Sequence, residues 1–151
     1  MKPALLIAVF AGLFSLVVIQ SCAPTEHPVA VNGYQEPLIR DVGDRVFFPH
    51  QDADLTEESR ETLDRLVVFL ETYPEDRLTI EGHSHDFDDP EENDLISKRR
   101  AEVVLRYLIE KGIDPSRLSI VAYGYQRPAV TGDYEEARAQ NRRVQFLLET
   151  E

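Results

Sequence analysis

The order of apolar and polar positions from residue 45 onward predicts strands alternating with helices. Short runs rich in β-branched and aromatic side chains, typical of strands, occupy residues 45–48, 78–82, 118–123 and 144–148. Between them, two segments repeat apolar side chains every three or four residues, as a helix buried on one face does. These side chains are Leu63, Leu66, Val67 and Leu70 in the first segment, and Ile96, Val103, Val104, Tyr107 and Leu108 in the second.

Capping residues predict where these helices begin and end. Asp54 or Thr56 is expected to cap the first helix, and Tyr73-Pro74 ends it. Asn93 or Ser97 is expected to open the second helix, with Gly112 at its C-terminal end. A short third helix over 134–140 completes the order β-α-β-α-β-(α)-β. This order predicts an α+β fold, a two-layer sandwich with helices packed on one side of a mixed sheet.

The N-terminus has the features of a secretory signal. Lys2 is the one charge in residues 1–21, and Ala4 to Ile19 is an uncharged, mostly apolar run. As a helix this run would extend about 24 Å, short of the roughly 30 Å hydrocarbon core of a bilayer, which disfavours the alternative of a permanent transmembrane anchor.

The run ends in Ile19-Gln20-Ser21-Cys22, which resembles a bacterial lipobox. The resemblance implies cleavage before Cys22 and acylation of that cysteine, although Cys22 could also be incidental beside an ordinary cleavage site. Ala23 stands where an Asp would favour retention in the inner membrane, so the resemblance implies the periplasmic face of the outer membrane. We therefore expect a signal peptide at 1–21, a linker at 22–40 and a folded domain at 41–151. Val29 to Val31 could instead add an edge strand to the domain.

The amino-acid composition excludes some classes of binding partner and of binding site. The 151 residues carry 28 acidic and 16 basic side chains, a formal net charge of −12, which argues against binding nucleic acid or anionic lipid through a basic patch. The single cysteine excludes an intramolecular disulfide and a Cys-rich zinc site. No cofactor is expected.

Several short motifs in one order resemble the OmpA-like C-terminal domain family, and within it most closely the branch of peptidoglycan-associated lipoproteins. The motifs are Glu81-Gly82-His83, Asn93, Arg99-Arg100-Ala101, Lys111-Gly112-Ile113, Tyr123-Gly124, Arg127-Pro128-Ala129-Val130 and Asn141-Arg142-Arg143-Val144. Motifs that keep their spacing over roughly 100 residues are far more specific than any one of them alone. A lipobox ahead of such a domain is also the architecture of that branch.

The resemblance implies non-covalent binding of the peptide stem of peptidoglycan through diaminopimelate, a zwitterionic amino acid. Its carboxylate needs an arginine fork, and its ammonium needs a carboxylate. By position, Arg100 would grip the carboxylate, with Asn93, Asn141 and Arg142 near the same pocket. Arg100 could instead pair with an acid of the neighbouring loop, and Arg142 and Arg143 could be solvated charges beside the last strand.

The chain departs from the family on the side of the pocket that faces the ammonium. His85 stands where the family has an Asp, and Asp86 follows it, so Asp86 could substitute if the loop slips by one residue. Pro49 and Gln51 stand at two further positions where the family favours Asp, with His50 between them. A neutral imidazole cannot replace a carboxylate opposite an ammonium. Ordinary diaminopimelate binding, an altered ligand and lost binding therefore remain open.

Two other features invite a chemical interpretation. His50, His83 and His85 with Asp86 are a possible zinc or copper group. Residues 86–94 hold six acids, which could be a cation-binding loop or a solvated surface loop. A wall hydrolase would need two carboxylates across a cleft. Glu81 and Asp86 are close in sequence, but nothing in the sequence places them on opposite sides of a cleft.

We therefore expect a binding module and not an enzyme. The leading hypothesis is an outer-membrane lipoprotein that binds peptidoglycan and tethers the membrane to the cell wall. The alternative is a protein-interaction module with a degenerate wall pocket, docking on Tol-like or other envelope partners.

Overall fold

The computed structural model describes residues 35–149. The predicted signal peptide, Cys22, the possible edge strand at Val29 to Val31 and most of the predicted linker lie outside these residues. The elements are α1 (Glu36–Asp41), β1 (Arg45–Phe47), α2 (Glu57–Thr72), β2 (Leu78–Gly82), α3 (Pro90–Glu110), a 3₁₀ turn (Pro115–Arg117), β3 (Leu118–Ala122), α4 (Glu135–Asn141) and β4 (Arg143–Leu148).

The four strands form one mixed sheet in the order β1-β4-β2-β3. β2 and β3 are parallel, and β4 is antiparallel to both of its neighbours. In this register Ile80 lies opposite Phe146 on β4 and Ile120 on β3. The predicted α+β architecture with a mixed sheet is confirmed.

The hydrophobic core lies between the sheet and helices α2 and α3. Its members include Leu66 and Leu70 of α2, Val104 and Leu108 of α3 and Phe146 of β4, each with no exposed surface. Burying a side chain of this size contributes roughly 1.5–3 kcal/mol, so the apolar stripes seen in the sequence are what hold the layers together.

The observed helix starts distinguish between the predicted caps. Thr56 caps α2, because its side chain accepts a hydrogen bond from the Ser59 N–H. α3, by contrast, begins at Pro90 with Asp89 as its cap, earlier than the predicted Asn93 or Ser97. A proline at the first helical position and an Asp before it favour this earlier start, and Asn93 and Ser97 are buried inside the helix.

The folded body also begins before residue 41, where the sequence predicts the end of a linker. Residues 36–41 form α1, and Leu38 has no exposed surface. The side chain of Gln35 binds the backbone of β4, with Nε2 donating to the Phe146 carbonyl and Oε1 accepting from the Leu148 N–H. Residues 35–40 therefore belong to the packed structure, because Leu38 is part of the hydrophobic core and Gln35 is bonded to β4.

Within residues 35–149, no helix combines the length and the apolar character that crossing a bilayer requires.

Candidate functional site

Four chain segments meet at one end of the sheet: the loops that follow β1 and β2, the N-terminal half of α3 and the segment from residue 129 to the end of α4. Gly82 allows β2 and α3 to approach here, because a Cβ at this position would collide with the carbonyl oxygen of Ser97. The loop after β2 is therefore held directly against α3, which carries Arg100.

Arg100 forms a two-pronged ion pair with Asp86, and neither side chain has exposed surface. Nη1 donates to Oδ2 at 2.7 Å and Nη2 to Oδ1 at 3.2 Å. The guanidinium also donates to the carbonyl oxygens of Asp52 and Pro49, both at 2.9 Å. Arg100 thus pairs with an acid of the neighbouring loop, as one of the two interpretations expects, and it binds this chain instead of presenting its fork to solvent.

Asp86 accepts two further hydrogen bonds, from the Gln51 N–H at 2.6 Å and the Ser84 hydroxyl at 3.1 Å. Burial alone would raise the pKa of Asp86, but the Arg100 guanidinium and these donors outweigh burial and hold the pKa below its ordinary value. The acid that lies against Arg100 is therefore Asp86, the residue that follows His85 in the chain.

Asn93 holds the loop that carries Asp86. Its Oδ1 accepts from the Ser84 hydroxyl and from the N–H groups of Asp86 and Phe87. Its Nδ2 donates to the carbonyl oxygens of Phe87 and Asp89. Because Asn93 is only 1% exposed, its role in this structure is to position the loop.

Asn141 organises the other side of the site and contacts His85. Its Oδ1 accepts from the N–H groups of Ala129 and Val130, and its Nδ2 donates to the Val130 carbonyl. The same Nδ2 lies 3.3 Å from His85 Nδ1. The other ring nitrogen, Nε2, lies 3.8 Å from Asp133 Oδ1, and the His85 side chain is 25% exposed.

Arg142 is buried but incompletely paired. It is 6% exposed, and its Nη2 donates to Glu135 Oε1 at 2.7 Å. Its Nε and Nη1 have no hydrogen-bond partner among the residues that the structure describes. The hydrogen bond from Arg142 lowers the pKa of Glu135, and the nearby His50 lowers it further. Burial, and to a smaller extent the charge of Arg142, lower the pKa of Arg100.

Glu135 also belongs to this site, although none of the sequence motifs includes it. Glu135 begins α4 and stands seven residues before Arg142, which is two helical turns, so the two side chains share one face of the short helix. That spacing was the available signal. Arg142 and Arg143 are both buried, so the alternative of solvated charges beside the last strand is wrong.

The histidines proposed for a metal do not converge. His83 stacks on Tyr123 with ring centroids 5.6 Å apart and lies 3.7 Å from Glu81, whereas His50 contacts the Asp86 carbonyl and His85 faces Asn141. Burial lowers the pKa of His83, an effect that Glu81 partly offsets. Among residues 35–149, no three His, Cys, Asp or Glu side chains are grouped as a metal site requires.

Glu81 also lies apart from Asp86, since its carboxylate faces His83 and Arg127 while Asp86 faces Arg100. The pair considered for a wall hydrolase therefore does not flank one cleft.

The acidic run 86–94 has a structural explanation. Asp89 caps α3 by accepting from the Glu91 N–H, and Glu91 and Glu92 occupy the first turn, where the helix dipole favours negative charge. The side chain of Asp88 is 99% exposed, as the interpretation of a solvated loop expects.

A groove of about 440 Å³ lies elsewhere, lined by residues of α1 and α2 such as Val68 and Phe69. It contains none of the predicted site residues.

Comparisons with known proteins agree with this fold and with the resemblance. The OmpA family matches residues 47–142. A peptidoglycan-associated lipoprotein of Rhizobium meliloti is 33% identical over 119 residues, which cover 79% of this chain and 68% of the relative. One from Haemophilus influenzae is 32% identical over 137 residues, which cover 86% of this chain and 90% of the relative.

Solved structures show the same architecture. The crystal structure of the peptidoglycan-associated lipoprotein from Burkholderia pseudomallei superposes with a TM-score of 0.67 at 24% identity, covering 70% of this chain and 90% of the other. The C-terminal domain of Helicobacter pylori MotB superposes with a TM-score of 0.66 at 23% identity, covering 72% and 85%. At these identities the likeness concerns the fold.

Proposed function

This chain belongs to the OmpA family, and from that premise we propose that it is an outer-membrane lipoprotein that binds peptidoglycan non-covalently. In this function the protein attaches the outer membrane to the cell wall. Acyl chains on Cys22 insert into the membrane, and the folded domain binds the wall. Because one molecule spans both surfaces, the second contact is intramolecular, and modest affinity for each stem peptide is enough.

Two kinds of observation support this proposal. Relatives at 30–37% identity carry the name peptidoglycan-associated lipoprotein. In addition, Arg142 is a buried guanidinium with two unpaired nitrogens, and such a group favours a carboxylate, of which every stem peptide carries at least one. The single observation that carries the site assignment is this partly unpaired guanidinium, whose charge acts on the pKa of Arg100.

We propose that Arg142 and His85 contact the stem peptide, while Arg100, Asp86, Asn93 and Asn141 hold the loops that shape the site. This division follows the hydrogen bonds, because the side chains of the four positioning residues are bonded within the chain, whereas Arg142 keeps two unpaired nitrogens and the His85 side chain is 25% exposed. Arg100 and Asp86 bind one another with no exposed surface, and Asn93 has all its contacts within the loop.

A sacculus-binding assay tests the function. The full chain, purified in detergent, is mixed with insoluble sacculi and pelleted, with free diaminopimelate as competitor. We expect retention that diaminopimelate reduces in a concentration-dependent manner. Absence of retention, together with a specific co-purifying envelope protein, would favour the alternative of an interaction module.

An arginine variant tests the site. Arg142→Gln removes the buried charge that would meet the carboxylate, and we expect a loss of retention of roughly tenfold or more, since hydrogen bonds to charged groups contribute about 1.5–3 kcal/mol. Arg99→Gln is the matched control, because Arg99 is an exposed arginine of α3 and its loss changes the net charge equally. Circular dichroism of both variants confirms folding. Equal retention of Arg142→Gln and Arg99→Gln would reject the assigned site.

A further inference from the structure

His83 is the first residue after β2, and it begins the loop that leads to Asp86. Its backbone N–H donates to the Arg143 carbonyl at 2.9 Å, and the next N–H, that of Ser84, donates to the Gly124 carbonyl at 2.8 Å. The Ser84 hydroxyl in turn donates to the Asp86 carboxylate at 3.1 Å. The position of Asp86 therefore depends on how residues 83 and 84 are held.

The imidazole of His83 is buried without a hydrogen-bond partner. The residue is 2% exposed, and neither ring nitrogen is hydrogen-bonded within the part of the chain that the structure describes. Glu81 Oε2 lies 3.7 Å from His83 Nε2, beyond hydrogen-bond distance. The ring instead stacks on Tyr123, with centroids 5.6 Å apart. A neutral aromatic ring therefore fits this position and packs the end of β2 against the chain that follows β3.

Positive charges outnumber negative charges around this ring. Glu81 faces it from β2, and the charges of Arg143 on β4 and Arg127 after β3 act on it. The Arg127 guanidinium lies 3.9 Å from the centre of the Tyr123 ring, and its Nη1 lies 3.9 Å from Glu81. Arg143 stays charged near neutral pH, because burial lowers its pKa only to about 10. A proton on His83 would therefore add a third positive charge opposite one acid.

The balance of these effects disfavours the protonated ring. Burial, and to a smaller extent the charges of Arg143 and Arg127, outweigh Glu81 and hold the pKa of His83 below its ordinary value. A buried charge without a sufficient partner destabilises the arrangement that encloses it.

Resting on the proposed function, we propose that His83 positions the loop of the binding site only while its ring is neutral, and that mild acid releases this loop. The protonated ring gains water only by leaving Tyr123 and the two arginines. This movement displaces Ser84, and with Ser84 the carboxylate of Asp86. The site is thus coupled to pH through His83, which acts on the loop and not on the ligand.

Hydrogen–deuterium exchange of the full chain in detergent tests this inference. The N–H groups of Ser84 and Asp86 are bonded to Gly124 and to the Asn93 side chain, so their exchange measures loop opening. Above about pH 6.5, the ordinary pKa of histidine, opening takes up no proton, whereas below it the open loop binds a proton that the closed loop does not. From about pH 7.5 to about pH 5.5 we expect the protection of these amides, corrected for the intrinsic exchange rate, to fall by roughly threefold to tenfold.

A variant of His83 shows whether this residue is the group that titrates. His83→Phe keeps a ring that stacks on Tyr123 and removes nitrogens that have no partner to lose. We expect its loop to be protected at about pH 7.5 and to stay protected at about pH 5.5. His50→Gln is the matched control, because His50 is exposed and contacts the Asp86 carbonyl of the same loop, and it should keep the wild-type response.

An NMR titration of the His83 ring in the wild type supplies a measurement that needs no variant, and we expect a pKa below the ordinary value. Protection of the wild-type loop that does not change with pH would overturn the inference. So would a His83 pKa at or above the ordinary value, or a response that persists in His83→Phe and disappears in His50→Gln.

Sacculi separate the inference from the proposed function. In protein pelleted with sacculi at about pH 5.5, we expect the lost protection to be restored, because a ligand that binds the closed loop shifts the population towards it. Retention without restored protection would overturn the inference and leave peptidoglycan binding intact. A lack of retention at both pH values would overturn the proposed function, whereas the pH response of the free protein would stand.

Discussion

The charged side chains Arg100, Asp86 and Arg142 are all buried, and they differ in how completely they are paired within the fold. Arg100 and Asp86 have no exposed surface and satisfy one another, whereas Arg142 is buried with only one of its nitrogens bonded to Glu135. A paired buried charge supports the fold, and an unpaired buried donor invites a ligand. We therefore propose that Arg100 supports the fold and that Arg142 contacts the ligand.

The Arg100–Asp86 pair predicts a large loss of stability in Asp86→Asn. The substitution leaves the buried Arg100 charge uncompensated, and we expect the free energy of unfolding at pH 7 to fall by about 3–5 kcal/mol, measured by urea denaturation. Asp41→Asn is the matched control, because Asp41 also pairs with an arginine, Arg40, but on the exposed surface. We expect little change in that control.

The same pair predicts the pH dependence. The pKa of Asp86 is lower in the folded protein than in the unfolded chain, so the folded state binds fewer protons. The stabilisation is complete above the unfolded pKa, near 4, and is lost as the pH falls through that value towards the folded pKa. The difference in stability between wild type and Asp86→Asn should therefore shrink below about pH 4. A difference that is constant between pH 7 and pH 3 would contradict this explanation.

At the scale of elements, helix α1 shows that tertiary contacts can determine whether a helix forms. α1 has six residues, far too few to be stable alone, and it exists because Leu38 and Gln35 bind the core and β4. Helices α2 and α3, in contrast, carry long apolar stripes and clear N-terminal caps. The sequence therefore predicted those two helices and missed α1.

Substitutions in α1 measure its contribution. Leu38→Ala leaves a cavity in the core, and we expect a loss of about 2–5 kcal/mol in urea denaturation. Ile39→Ala is the control on the same helix, because Ile39 is 39% exposed, and we expect a much smaller loss. Equal losses would mean that α1 does not pack as described.

At the scale of the whole molecule, the proposed tether has two separable contacts. The first is the lipid on Cys22, and the second is the site formed by α3, α4 and the loops. Each buried methylene of an acyl chain contributes about 0.8 kcal/mol, so two or three chains anchor a protein firmly. The acidic body, with a net charge of −12 for the whole chain, has no need to bind the membrane surface itself.

Removing the lipid should separate the two contacts. In Cys22→Ala we expect the protein to leave the outer-membrane fraction while it keeps wild-type retention on sacculi, measured by cell fractionation and by pelleting. Mass spectrometry of the wild-type N-terminus supplies the control. An unmodified N-terminus, or a Cys22→Ala protein that stays with the membrane, would contradict the lipid anchor.

The sequence by itself determined the strands, the two long helices, the α+β class and the family, because each depends on local periodicity or on motifs of fixed spacing. Only the tertiary structure decided the roles of the charged residues. Arg100 and Asp86 are 14 positions apart, and their pairing depends on how closely Gly82 brings β2 to α3. The contact between His85 and Asn141 joins residues that are 56 positions apart. Burial and long-range hydrogen bonds are properties of the packed chain, and no local pattern encodes them.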